Sequence, residues 1–192
     1  MELSGIINKA KKYAMNEIKI YGALKIEWLE LSSYKWQILA EKLWANKEIV
    51  MLWTILMDLK LGECFKEGKI NEHVQRSSQS AQEFLKQYDI DKDILNKIIS
   101  CIESHHGVNK YFCKEAEICA NADCYRFLHP RGFLAAFVSW AETEQNLKNI
   151  LDQIEDKLDE KYKILSLEIC KEELKWYYQQ FKKLIKEARE QN

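Results

Sequence analysis

MLWTILMDLKLGE, residues 51–63, decides the fold. From Met51 to Met57 every side chain but Thr54 is apolar, and the run resumes at Leu59 after one carboxylate, Asp58. A helix over 47–60 that is apolar nearly all round belongs in the middle of a helical protein. Burying an unpaired carboxylate is expensive. Asp58 therefore marks either a misplaced buried face or a working residue whose partners lie elsewhere in the chain.

Helical patterns extend on both sides of this stretch. Leu3, Ile6, Ile7, Ala10, Ala14, Ile18 and Tyr21 share one face of a helix over 3–21, and Gly22 suits its end. A second helix, 33–45, follows LSS, where a serine can cap. GECFKEGKINE, 62–72, reads as a loop. The next helix starts at Asn71 or His73 and runs to about Tyr88. Asp91 is placed as N-cap of a helix over 92–106 that stops at Gly107. Another helix covers 114–128, HPRG at 129–132 interrupts, and 133–190 holds two or three helices rich in Lys and Glu. The chain has a single proline and six glycines, too few for the many turns of a sheet protein. The fold class expected is all-α, a compact helical bundle.

The 192 residues fit one domain, and no repeat or linker marks a boundary. With 29 Lys+Arg against 30 Asp+Glu, the net charge of −1 provides no global field for nucleic acid or anionic lipid. No run approaches the ~18 apolar residues of a membrane span, and MELSGIINKAKKY lacks the long apolar segment of a signal peptide. A cytoplasmic protein is the simplest expectation. The six cysteines, 64, 101, 113, 119, 124 and 170, contain no CxxC pair and read as reduced and buried. The spacing of Cys113, Cys119 and Cys124 matches no common zinc ribbon.

Polar residues interrupt several apolar stripes. In 92–106, Leu95, Ile98, Ile99 and Ile102 lead to His105 and His106, so a core-facing stripe ends in two imidazoles. In 114–128, Asp123 lies four residues after Cys119 and four before Phe127, which makes it an inward carboxylate. His73 opens a helix in which Ser77, Ala81 and Phe84 or Leu85 follow at helical spacing. Two carboxylates and two or three imidazoles pointing inward from separate helices can satisfy one another through a divalent cation. Taken singly, each has an ordinary structural role: Asp58 as a helix-end cap, the histidines at a helix C-terminus, Asp123 in a buried ion pair.

HVQRSSQSAQEFLKQYDIDKDILNKIISCIESHH, followed by EAEICANADCYRFL, resembles the second half of an HD-domain metal-dependent phosphohydrolase. The resemblance spans residues 33–140, an HD-like core, and is specific over 71–128; residues 141–192 form a C-terminal helical extension. His73, His105-His106 and Asp123 fall where the family has its later ligands. VMLWTILMDL lies where the family has a buried helix ending in a His-Asp pair, but here the pair is Met57-Asp58, and no histidine precedes residue 73. Two ligands of the family's primary metal site are thus absent.

The resemblance implies one divalent ion, of Mn, Fe, Co, Zn or Mg, held by Asp58, His73, His105 and Asp123. Asp58 and Asp123 would serve catalysis, and His106, Arg126 and Arg131 would contact a phosphorylated small-molecule substrate. The activity expected is hydrolysis of a nucleotide or other phosphoester. A catalytically inactive HD-like module that binds a ligand or a protein is the alternative, and a plain helical scaffold is a third.

Overall fold

The structure is a computed structural model that describes residues 3–22, 26–142, 144 and 146–190. It is all helical: α1 (Leu3–Tyr21), α2 (Ile26–Lys42), α3 (Lys47–Leu56), α4 (Leu61–Lys66), a 3-10 turn (Ile70–Glu72), α5 (His73–Leu85), α6 (Lys92–Ser104), α7 (Lys114–Leu128), α8 (Pro130–Ala141), α9 (Leu147–Ile164) and α10 (Glu168–Glu190). Among the described residues no helix is long and apolar enough to cross a membrane.

Two helices share the middle. In α3, Ile49, Val50, Leu52, Trp53 and Leu56 are buried, and Met57 just beyond its end is fully buried as well. α7 is enclosed further: it packs against α2, α3, α6, α8, α9 and α10. Its buried residues run all round the helix, and many are small: Ala116, Cys119, Ala120, Ala122 and Cys124. Small side chains let several neighbours approach one helix closely, and each large apolar group those neighbours bury against it contributes about 1.5–3 kcal/mol.

Several boundaries differ from the sequence expectation for identifiable reasons. Ser32 and Ser33 lie inside α2, not at its start, and Ser32 is completely buried. The long apolar helix stops at Leu56, and 57–60 form a turn. GECFKEGKINE is not a loop: it holds most of α4, with Gly62 and Cys64 buried, and the 3-10 turn. Pro130 does not merely interrupt. It opens α8, and the ring of His129 caps that helix by accepting from the Arg131 N–H at 3.3 Å. Asp91 is the expected N-cap of α6, accepting from the Asp93 and Ile94 N–H groups. All six cysteines are free thiols, five of them buried.

The C-terminal helices are not an appendage to a finished core. Ile150, Leu151, Ile154 and Leu158 of α9 and Cys170, Leu174 and Ile185 of α10 belong to the same apolar cluster as α3 and α7. This packing brings the last turn of α9 beside the C-terminal half of α7.

Candidate metal centre

Five parts of the chain deliver the polar cluster. Asp58 stands in the turn after α3, where its carbonyl accepts from Leu61 N–H at 3.0 Å. His73 is the first residue of α5, directly behind the 3-10 turn, and its Nδ1 lies 2.6 Å from the carbonyl of Ile70 in that turn. His105 and His106 follow the last turn of α6, and the His105 Nδ1 lies 2.6 Å from the Ile102 carbonyl. Gly107 takes φ +84°, so the chain leaves α6 immediately after the two imidazoles in a conformation that suits glycine. Asp123 and Arg126, one turn apart, come from α7, and Glu160 and Lys161 come from α9.

The buried charges balance. Arg126 Nη1 donates to Asp58 Oδ2 at 2.8 Å and to Asp123 Oδ1 at 2.8 Å, and Lys161 Nζ donates to Asp123 Oδ2 at 2.6 Å. Two carboxylates therefore face two cations, all nearly without solvent contact. Burial alone would push Asp58 upward, but Arg126, with His105 and His73 behind it, holds its carboxyl below the usual range. Burial opposes the charge on Asp123 too; Lys161 and Arg126 outweigh it and keep that carboxyl well below the usual range. Burial also works against the ammonium of Lys161, and the Asp123 carboxylate reverses the effect. A network of this kind offsets desolvation only while every member is present.

The imidazoles carry the other half of the site. With Nδ1–H donated to a backbone carbonyl, His73 and His105 each present a bare Nε2; this tautomer is assigned from the hydrogen-bond network. Burial pushes His105 down to about 4 and lowers His73 as well, so both rings are neutral near pH 7. Asp58 Oδ1, the oxygen that does not face Arg126, lies 3.7 Å from His73 Nε2 and 3.9 Å from His105 Nε2. His106 Nε2 is 3.2 Å from His73 Nε2. The buried Nε2 of His105 has no hydrogen-bond partner among the described residues. The His105 Nε2 lone pair thus faces a carboxylate oxygen 3.9 Å away, a juxtaposition that a cation would relieve.

His73, His105 and His106 offer ring nitrogens that all lie within 4.8 Å of one another and can hold a metal ion. Ligand atoms around a tetrahedral ion stand about 3.3 Å apart, given bonds of about 2.0–2.1 Å. The His73–His106 pair already meets that spacing, and the Asp58 contacts need to shorten by only a few tenths of an ångström. The donor set of nitrogens plus one carboxylate oxygen suits borderline divalent ions such as Zn²⁺, Fe²⁺ or Co²⁺. The cluster opens into a cavity of about 610 Å³ whose walls include Tyr21, Phe65, Phe127 and Trp140, with Lys157 also on the lining.

Asp58, His73, His105 and Asp123, expected to converge, do so. Asp58 and Asp123 are bridged by one guanidinium nitrogen. The parts expected of Asp123, Arg126 and Arg131 are not the ones they play. Asp123 does not join the imidazoles: its oxygens accept from Arg126 and Lys161, and Arg126 stands between it and Asp58. His106, expected either as a ligand or at the substrate, belongs to the imidazole cluster. Arg126, expected on a phosphate, spends its charge on the two carboxylates. Arg131 is further away in kind: half exposed at the start of α8, it pairs with Glu30 and does not line the cavity. Met57 packs in the core.

Lys161 and Glu160 escaped sequence reasoning. The signal was present, since Ile150, Ile154, Leu158, Lys161 and Leu165 continue one buried stripe at spacings of three and four. A lysine on such a stripe is a buried lysine in need of a carboxylate. Comparison of the chain with protein-family models, with curated proteins and with solved structures finds no match in any of the three.

Proposed function

We propose that this protein is a metal-dependent phosphohydrolase of the HD-domain type that holds one divalent ion and acts on a nucleotide or another phosphoester. The observation that carries the proposal is the convergence of the His73, His105 and His106 ring nitrogens beside Asp58 Oδ1, with the His105 Nε2 buried and without a hydrogen-bond partner among the described residues. His73, His105, His106 and Asp58 would hold the ion. Bound there, a divalent cation supplies a Lewis acid for a phosphoryl oxygen and lowers the pKa of water. The rest falls to the chain. The Ile70 and Ile102 carbonyls fix the rings of His73 and His105. Lys157 and Lys161 lie on the cavity wall, each already paired with a carboxylate, Glu160 and Asp123. Asp123 and Arg126 keep Lys161 and Asp58 in place, and the aromatic walls exclude water from one side of the ligand. A cavity of about 610 Å³ accommodates a molecule of nucleotide size.

A second reading has its own observation. Arg126 and Lys161 each bind an oxygen of Asp123 and hold its carboxyl well below the usual range, which makes it a weak base toward water. That arrangement favours an HD-like module that binds metal and ligand without turnover. A panel of nucleotides and phosphomonoesters, assayed with the metal-loaded protein, separates the two. Turnover that disappears in His73→Ala supports the hydrolase. Turnover that persists in His73→Ala points to a contaminant, and none on any substrate leaves the binding module.

A further inference from the structure

We infer that Glu160 is the positioning residue that makes His106 a metal ligand, while Lys161 holds the opposite tautomer until an ion arrives. The inference rests on the metal-binding reading above. His106 Nδ1 is contested: Glu160 Oε1, an acceptor, lies 3.3 Å away, and Lys161 Nζ, a donor, also lies 3.3 Å away. A neutral imidazole carries one proton, so it can satisfy only one of them.

Without an ion, one assignment satisfies a whole chain of groups. Lys161 donates to a bare His106 Nδ1, and His106 Nε2–H donates to His73 Nε2 at 3.2 Å. The His73 nitrogen can only accept, because its Nδ1–H is committed to the Ile70 carbonyl. An ion bound by both rings needs both Nε2 lone pairs, so this internal hydrogen bond must break. The proton then belongs on Nδ1, where Glu160 receives it. The opposite oxygen of Glu160 is held by Lys157 at 2.6 Å, which leaves Oε1 aimed at the ring. Lys161 keeps its bond to Asp123 and its 3.6 Å contact with Glu160. One proton leaves Nε2 for solvent and one arrives at Nδ1, so the exchange of tautomers releases no net proton. A carboxylate behind a metal-binding histidine sets ring orientation and basicity, and its loss costs roughly 10- to 100-fold in metal affinity.

The full chain with Zn²⁺ as probe tests this. Long-range proton–nitrogen NMR spectra of the histidine rings should show His106 protonated at Nε2 without zinc and at Nδ1 with it. Zinc affinity, measured by competition with a chromophoric chelator, should weaken about 10- to 100-fold in Glu160→Ala. Glu160→Gln, whose carbonyl accepts the same proton, should recover most of the loss, which a simple charge effect would not allow. Glu160 is partly exposed, so neither substitution disturbs the core. A zinc-loaded His106 still protonated at Nε2, or Glu160→Ala binding zinc as tightly as the wild type, overturns this inference and leaves the metal centre standing. A wild-type chain that takes up no zinc, or a His73→Ala chain that takes it up equally well, overturns the metal reading and this inference with it.

Discussion

At the scale of single residues, Asp58 is explained by its two oxygens. Oδ2 is neutralised by Arg126 at 2.8 Å, and Oδ1 faces imidazole nitrogens that have no proton to give it. The same burial that leaves His105 neutral makes the metal-free protein sensitive to acid. Its folded-state pKa, pushed down to about 4, lies below the unfolded value of about 6.5, so the unfolded chain binds more protons between those values. The associated stability is complete above pH 6.5 and is lost as pH falls toward 4. Denaturant unfolding at pH 7.5 and pH 4.5 should differ by about 2–3 kcal/mol from this group, and the difference should shrink in His105→Phe. A second residue-scale outcome concerns Lys161. Lys161→Met leaves Asp123 with an uncompensated share of buried charge and should cost about 3–5 kcal/mol by the same measurement, and adding Asp123→Asn should return part of it. The histidines and both aspartates were legible because each stands where an apolar stripe should continue. Lys161 obeys the same rule, but it lies in a helix whose Lys and Glu content resembles a solvated surface.

At the scale of elements, the site depends on where helices end and how closely they cross. α5 begins, and α3 and α6 end, within reach of one point, and the 3-10 turn aims His73 with a backbone carbonyl. Gly132 shows how tightly α8 is set against α7. A β-carbon there would stand 2.4 Å from the Arg126 carbonyl oxygen and 2.6 Å from that of Tyr125. Backbone cannot yield as a side chain can, so Gly132→Ala should push α8 off the end of α7 that carries Arg126. The expected cost is about 1–3 kcal/mol, seen as a Tm lower by several degrees in calorimetry. Helices with caps and strong periodicity were readable from sequence. α7 was expected at 114–128 and lies there, and Asp91 caps α6 as expected. α2 and α4 were not. Ser32 and Ser33 resemble a cap but are helix interior, and Gly62 resembles a breaker but is buried inside a short helix, because tertiary packing outweighs local preference at both places.

At the scale of the whole molecule, the chain forms one apolar cluster to which α9 and α10 contribute as fully as the earlier helices, and the polar site is closed only when α9 supplies Lys161. The all-α class followed from composition and periodicity. Which helix covers which stripe was not legible, because nothing in a stripe of leucines and isoleucines names its partner. With the buried carboxylates already balanced by Arg126 and Lys161, the imidazoles are the place that can hold an ion, and the gap between Asp58 and Asp123 is taken by Arg126. Elemental analysis of protein purified without chelators tests this most directly. The account predicts one divalent ion per chain, removed by a chelator with a fall in Tm and absent from His73→Ala. A chain that carries no ion and shows no thermal shift on addition of Mn²⁺, Fe²⁺, Co²⁺ or Zn²⁺ would contradict it.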